Sequence, residues 1–193
     1  MITKNFITTT MLLFIALYFT ACEKKPNIQE TQVESQTASK NVFSKEKGEL
    51  LTLTDTEGKT HQLRASQEGI DFQGYEGKII LLDFFATWCP PCRAEMPHLV
   101  NLQNKFKDKI QILAILMEDE KENTEVKSFA SEFDLNFPIL NSKENFILSH
   151  ALGGVKNLPT LVLYDSKGRY FTHYTGAAPE EMIESDIKKA LAR

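Results

Sequence analysis

Two cysteines separated by two prolines carry the clearest chemistry in this sequence. The motif Cys89-Pro-Pro-Cys92 directly follows an apolar run of strand length and precedes residues with helical periodicity. A strand-to-helix junction places unpaired N–H groups, with their partial positive charge, beside the first cysteine. A thiolate is stabilised there, so we expect Cys89 to have a lowered pKa and to be the attacking thiol in disulfide exchange. Cys92, one turn further along, is expected to resolve the mixed disulfide.

Zinc binding is the competing interpretation of a Cys-X-X-Cys pair. A structural zinc ion needs two further ligands, and the sequence has no second cysteine pair. Its four histidines are scattered without ligand spacing: His61, His98, His150 and His173. We therefore predict no metal and no cofactor, and we assign the histidines to surface or structural positions.

The surrounding elements predict an α/β sheet with helices on both faces. Residues 79–85 form a continuous apolar run, which is typical of a strand covered on both sides. Residues 51–63 are expected to form a β-hairpin that precedes this strand. The later predicted elements are helix 91–107, strand 110–116, a helix capped by Thr124, helix 143–152, strands 160–164 and 169–175, and a last helix opened by Pro179 that buries Ile183, Ile187 and Leu191.

The N-terminal residues are typical of an export signal. An apolar run over residues 11–19 follows Lys4 and is too short to span a bilayer comfortably. It ends at Cys22 after two small residues, which resembles the bacterial lipoprotein cleavage box, although Phe19 stands where Leu is usual. We predict a lipoprotein-type signal peptide over residues 1–21 and lipidation of Cys22; an uncleaved N-terminal anchor is the alternative.

Residues 22–47 are predicted to be a flexible tether. They are rich in Gln, Thr, Ser, Lys and Glu, and such a segment cannot bury enough apolar surface to fold. The tether would join the membrane to one domain over residues 48–193, which gives an extracytoplasmic (periplasmic), membrane-anchored protein. The net charge of −4 argues against a nucleic-acid partner. We expect a monomer.

The stretch Leu-Asp-Phe-Phe-Ala-Thr-Trp-Cys-Pro-Pro-Cys-Arg-Ala-Glu-Met-Pro, residues 82–97, resembles membrane-tethered thioredoxin-like proteins of the TlpA/ResA type, which are DsbE-like. The likeness extends from about residue 49 to residue 192. It includes a helix-bearing insertion after strand 110–116 and the Pro159-Thr160 pair before the next strand. The resemblance implies a thioredoxin-like fold with an N-terminal β-hairpin and a helical insertion.

The resemblance also implies supporting roles for residues near the pair. Pro159 matches the cis-proline that lies beside the cysteines in thioredoxin-like folds, with an ordinary strand-entry proline as the alternative. Glu95 matches a glutamate that the family keeps near the pair, with a solvated first-turn glutamate as the alternative. Trp88 precedes the first cysteine and is counted with the supporting residues.

Asp83 departs from the usual pattern of these proteins. It matches the buried acid of thioredoxin itself, whereas many TlpA-type proteins have Asn there. Burial would raise its pKa, and a raised acid near Cys92 could take and return the proton of that thiol. An exposed aspartate at the end of the strand is the alternative.

The family also implies a direction for the chemistry. Its members suggest a reductase that receives electrons from a membrane thiol relay and reduces disulfides of cysteine-containing exported client proteins, with cytochrome c maturation as one task. Two alternatives remain open at this point: an oxidant that inserts disulfides, and an assembly module that holds clients such as apocytochrome c.

Overall fold

In a computed structural model of the protein, the described residues are 48, 50–66, 68–119 and 121–193. The predicted signal peptide, Cys22 and the predicted tether lie outside them. Among the described residues, no helix is both long and apolar enough to cross a membrane. In chain order the elements are β1 Leu50–Thr54, β2 Thr60–Ala65, β3 Ile70–Phe72, β4 Ile79–Phe85, α1 Pro90–Phe106, a 3-10 turn Lys107–Lys109, β5 Ile110–Leu116, α2 Asn123–Glu132, β6 Ile139–Leu140, α3 Glu144–Ala151, β7 Thr160–Tyr164, β8 Tyr170–Thr175 and α4 Glu180–Leu191.

The strands form two sheets. The larger has the order β6-β5-β4-β7-β8, and the smaller is the antiparallel set β1-β2-β3. Strands β4, β5 and β6 run parallel to one another, whereas β7 and β8 are antiparallel additions on the other side of β4. This arrangement confirms the predicted thioredoxin-like α/β fold with a β-hairpin before it and a helical insertion, α2, after β5.

Strand β4 lies at the centre of the larger sheet, and all seven of its residues are buried. Since side chains alternate along a strand, its two faces join two separate cores. Ile79, Leu81 and Phe85 pack with the apolar sides of α1, α2 and α4. Ile80, Leu82 and Phe84 pack with the β1–β3 sheet and with α3. The position of β4 is therefore set from both sides, and so is the loop that follows it.

Two hairpin turns in this fold share one sequence pattern, Asp-X-X-Gly followed by a basic residue. In the β1–β2 turn, Asp55 Oδ1 accepts the backbone N–H groups two and four residues ahead, both at 2.9 Å. In the β7–β8 turn, Asp165 Oδ1 accepts the corresponding N–H groups at 2.9 and 3.0 Å. Gly58 and Gly168 have φ values of 83° and 72°, a region that favours glycine. The carboxylate and the glycine together define each turn.

The Asp55 turn also explains one of the four histidines. His61 is 2% exposed, and its Nε2 lies 2.9 Å from Asp55 Oδ2. Its Nδ1 lies 2.6 Å from the hydroxyl of Tyr75. His61 therefore has the predicted structural role, in a buried network of the β1–β3 sheet, while His98, His150 and His173 are exposed.

The structure corrects several details of the predicted elements. Strands β3 and β6 were not predicted, because runs of three and two residues show no periodicity. Helix α2 begins at Asn123 after Glu122, so Thr124 lies within its first turn and is not its cap. In α4, Leu191 is 37% exposed, and Ala190 takes the predicted buried place. At this end of the helix, the residue three positions after Ile187 faces the core, and the residue four positions after it does not.

Candidate active site

The two cysteines lie at the junction between β4 and α1. Cys89 is the N-cap residue of α1, with extended backbone angles, and its Sγ accepts the N–H of Cys92 at 3.4 Å. Pro90 and Pro91 occupy the first helical positions, where a missing N–H leaves no hydrogen bond unmade. The cysteines form a disulfide with a Cα–Cα distance of 5.3 Å. The structure thus describes the oxidised form of the pair.

The two sulfur-bearing residues differ in accessibility. Cys92 is completely buried, whereas Cys89 keeps 4% of its surface exposed. Trp88, immediately before the pair, is 68% exposed, and Pro90 and Pro91 are also exposed. Cys89 is therefore the more accessible of the two cysteines, and the residues next to it, Trp88 and the two prolines, are exposed.

Pro159 stands at the same end of the sheet as the pair. The Leu158–Pro159 peptide bond is cis, as predicted. Strand β7 starts one residue later, and its first residue, Thr160, pairs with Phe84 near the end of β4. The carbonyl oxygen of Pro159 accepts the N–H of Gly176 at 2.8 Å, which ties it to the end of β8. The register of β4 and β7 therefore brings this segment to the edge where the cysteines lie.

Glu95 is buried on the inner side of α1, three residues after Cys92. Only 2% of its surface is exposed, so the alternative of a solvated first-turn glutamate is wrong. Its Oε1 accepts the backbone N–H of Ala178 at 3.0 Å, and its Oε2 has no hydrogen-bond partner among the described residues. Burial raises the pKa of Glu95 to about 7, against the lowering effect of the Ala178 N–H and of nearby His98.

Asp83 is completely buried within β4, so the alternative of an exposed strand-end aspartate is also wrong. Neither of its carboxyl oxygens has a hydrogen-bond partner among the described residues. Burial, together with the negative charge of Glu95, holds the pKa of Asp83 well above its usual value. Asp83 on β4 and Glu95 on α1 are therefore two buried carboxyl groups whose charges influence each other.

A third acid, which was not predicted from the sequence, lies at this edge of the sheet. Glu118, two residues past the end of β5, accepts both the backbone N–H and the hydroxyl of Thr87 with the same oxygen, at 2.5 and 2.7 Å. Residues that follow neighbouring parallel strands meet at one sheet edge, and this topological signal could have identified the pair. Within the described part of the chain, no three His, Cys, Asp or Glu side chains are close enough to hold a metal ion.

The chain is similar in sequence to a known protein family and to relatives from Bacillus species. The sequence model of the redoxin family matches residues 26–191. The thioredoxin-like protein YneN of Bacillus subtilis is 35% identical over 123 residues, which cover 63% of this chain and 71% of the relative. The thiol–disulfide oxidoreductase ResA of Bacillus thuringiensis is 33% identical over 140 residues, or 72% and 73% of the two chains.

A solved structure with the same fold is that of the exposed lipoprotein thioredoxin Etrx1 of Streptococcus pneumoniae. The TM-score is 0.59 at 23% identity, and the match covers 73% of this chain and 99% of that one. At this identity the likeness shows the fold alone.

The raised pKa of Glu95 predicts that the free energy of unfolding of the oxidised protein falls as the pH rises. The fall occurs between the glutamate pKa of the unfolded chain and that of the folded protein, because only the unfolded chain releases the proton in this range. The usual glutamate pKa is 4.5 and the folded value is about 7. The contribution is therefore fully present below pH 4.5 and is lost by about pH 7, and it amounts to about 3 kcal/mol. Glu95→Gln, whose amide oxygen can still accept the Ala178 N–H, should flatten the pH dependence of urea unfolding in this interval.

Asp83→Asn supplies the matched comparison. Because the Asp83 pKa lies well above its usual value, the folded protein also loses stability as the pH rises above that value, and this variant should reduce the loss. If Glu95→Gln and the parent protein show the same pH dependence between pH 4.5 and 7, the assignment of a raised Glu95 pKa is wrong.

Proposed function

Because the chain belongs to the redoxin family and is a thiol–disulfide oxidoreductase similar to the ResA proteins, we propose that Cys89 and Cys92 carry out its exchange reaction. The observation that carries the proposal is the asymmetry of the pair. Cys89 caps α1 and keeps 4% of its surface exposed, whereas Cys92 is completely buried. The helix N-terminus stabilises a thiolate on Cys89, so this residue attacks and Cys92 resolves.

The reaction balances as a two-electron exchange. The Cys89 thiolate attacks one sulfur of a client disulfide, which forms a mixed disulfide and releases the other client sulfur as a thiolate. The Cys92 sulfur then attacks Cys89 Sγ, forms the Cys89–Cys92 disulfide and releases the second client thiolate. The client disulfide is reduced and the enzyme dithiol is oxidised. A dithiol donor must then reduce the enzyme again by the reverse exchange.

Asp83 and Glu95 support the second step. Cys92 must lose its proton before it can attack, and it is closed off from solvent. A general base works best when its pKa is near the ambient pH, and the Glu95 pKa of about 7 meets this condition. Asp83, whose pKa burial holds well above its usual value, is the second carboxyl group beside Glu95. We propose that the two carboxyl groups accept the Cys92 proton and return it when the enzyme is reduced.

The proposed direction is reduction of client disulfides. A couple is more reducing when its reduced form is less stabilised, and strong oxidants stabilise their thiolate most. A carboxylate near the sulfurs disfavours an adjacent thiolate by like charge, and Glu95 is ionised in part of the molecules at neutral pH. The proposed partners are cysteine-containing exported proteins as clients and a membrane thiol relay as electron donor. Cytochrome c maturation is one task that would use this chemistry.

The proposed location is the extracytoplasmic face of a membrane. The short apolar segment that ends in Thr-Ala-Cys22 supports export and lipidation. The solved relative from Streptococcus pneumoniae is itself named an exposed lipoprotein. An uncleaved N-terminal anchor would give the same location by another means.

The lifetime of the mixed disulfide tests the assignment of the two cysteines and of the acids. Cys92→Ser should accumulate clients bound through Cys89, because the resolving sulfur is lost, and the matched Cys89→Ser variant should trap almost none. Asp83→Asn should prolong the mixed disulfide and leave the rate of initial attack nearly unchanged. Quenched-flow alkylation followed by electrophoresis measures both steps. Equal slowing of the two steps would assign Asp83 to structure instead.

The redox state in the cell tests the direction. With its electron donor intact, the Cys89–Cys92 pair should be mainly reduced, and acid quenching followed by a mass-shifting alkylating reagent measures the reduced fraction. A Cys89→Ser, Cys92→Ser double variant calibrates the shift. A predominantly oxidised pair would favour the disulfide-inserting alternative. Client binding that persists in the double variant would favour a holding module.

Anchoring through Cys22 has its own test. Cys22→Ala should remain uncleaved and should fail to incorporate a labelled fatty acid, whereas the parent protein should be shortened and labelled. Electrophoretic size and membrane fractionation measure these outcomes. A parent protein that is unlabelled and has the same size as the variant would mean that an uncleaved N-terminal anchor holds the protein.

A further inference from the structure

All three polar groups of Thr87 are held by side chains from other parts of the fold. Thr87 lies between the end of β4 and Cys89 and is partly buried. Its N–H and hydroxyl both donate to Glu118 Oε1, at 2.5 and 2.7 Å. Its carbonyl oxygen accepts a hydrogen bond from Arg93 Nη1 at 3.2 Å. The N–H, the hydroxyl and the carbonyl oxygen of Thr87 are therefore all hydrogen-bonded just before the redox motif.

Backbone and side-chain contacts fix the position of Glu118, the first partner of Thr87. It follows β5, and the N–H of Met117 continues the parallel ladder to Phe85 at 2.9 Å. The Glu118 side chain is 12% exposed, and Lys121 Nζ lies 3.6 Å from its other oxygen. Its charge is thus partly balanced while Oε1 faces Thr87.

Arg93, the second partner, is placed by helix α2 of the insertion. Its guanidinium lies 4.9 Å from the ring centre of Phe133 and 5.5 Å from that of Phe129. It also forms an ion pair with Glu132 on the same helix. Thr87 is therefore held from two directions. Glu118 binds it from the connection that follows β5, and Arg93, which α2 positions, binds it from α1.

We propose that Glu118 is a positioning residue for the redox reaction: through Thr87 it holds the loop that sets Cys89 Sγ over the N-terminus of α1. This inference rests on the proposed role of Cys89 as the attacking thiol. The loop is short, and the N–H of Cys89 already bonds to the carbonyl oxygen of Ala86 at 3.1 Å, so a shift at Thr87 is passed directly to the cysteine. The benefit of a helix N-terminus to a thiolate falls off within one turn, which makes the placement matter.

The local structure favours this role over simple stabilisation of the insertion. Helix α2 begins five residues after Glu118, and its N-cap, Glu122, makes no side-chain hydrogen bond to the helix. An acid in this connection could cap the first turn of the helix by accepting one of its N–H groups. Glu118 instead directs one oxygen to two donors of the redox loop.

A set of variants in the full-length protein separates hydrogen bonding from charge. Glu118→Ala removes the acceptor of both bonds, whereas Glu118→Gln keeps an oxygen that can accept both. Thr87→Val removes one donor, and Thr87→Ser retains it. Glu125→Ala is the matched control, because Glu125 is an exposed acid of the same segment that also pairs with Lys121, at 2.9 Å, and makes no bond to Thr87. Each is made in the parent and in the Cys92→Ser background.

The readouts are the pH profile of Cys89 alkylation by iodoacetamide, the rate of exchange with a small disulfide, and the urea midpoint. Glu118→Ala should move the alkylation profile to higher pH and slow exchange by about tenfold, well within what a small misplacement costs. Glu118→Gln, Thr87→Ser and Glu125→Ala should stay within about twofold of the parent. Thr87→Val should fall between the two groups, and it keeps the test available if Glu118→Ala does not fold.

Two outcomes would overturn the proposal. One is a lowered urea midpoint for Glu118→Ala and Thr87→Val with an unchanged pH profile and exchange rate, which would make the contact purely stabilising. The other is equal impairment of Glu118→Gln and Glu118→Ala, which would mean that charge and not the hydrogen bonds matters. A parent protein in which Cys89 is not the faster thiol would instead refute the proposed function, and this result is visible before any change at Glu118.

Discussion

The complete burial of strand β4 is the constraint on which the site depends. Because one face of the strand packs under α1, α2 and α4 and the other under the β1–β3 sheet and α3, neither face can move without exposing apolar side chains. Each buried Leu, Ile or Phe contributes about 1.5–3 kcal/mol. The end of β4 is therefore a rigid point, and the redox motif begins four residues beyond it. A disulfide that must open and close repeatedly is thus attached to the end of a strand that is buried on both faces.

The same burial creates the electrostatics of the site. Asp83 belongs to β4 and has no hydrogen-bond partner among the described residues, and Glu95 enters the same interior from α1 with one partner. Uncompensated carboxyl groups in such a place destabilise a protein unless they are protonated. The fold thus retains two groups that cost stability at high pH. Their retention is understandable if they exchange protons with a thiol that solvent cannot reach.

The fold and the cysteine pair could be predicted because their signals are local. Six apolar residues over positions 79–85, interrupted only by Asp83, predict a strand with a buried acid. Cys89 and Cys92 follow where the apolar pattern changes from that of a strand to that of a helix. Strands of two and three residues gave no such signal. The contact between Thr87 and Glu118 joins positions 31 residues apart, and no spacing in the sequence indicates it. Such a contact follows only from the parallel pairing of β4 and β5.

The two Asp-X-X-Gly turns have unequal freedom to vary in evolution. A Cβ atom at Gly58 would meet nothing within 4 Å, so this position needs glycine only for its backbone angles, which Asn can also adopt. Gly168 has a second requirement, because its carbonyl accepts the Ile70 N–H at 2.8 Å and a Cβ there would lie 1.9 Å from the Ile70 carbonyl oxygen. The β7–β8 turn is one of the places where the two sheets are hydrogen-bonded to each other, and a side chain at Gly168 would disturb that contact. Relatives should therefore differ at the first glycine long before they differ at the second.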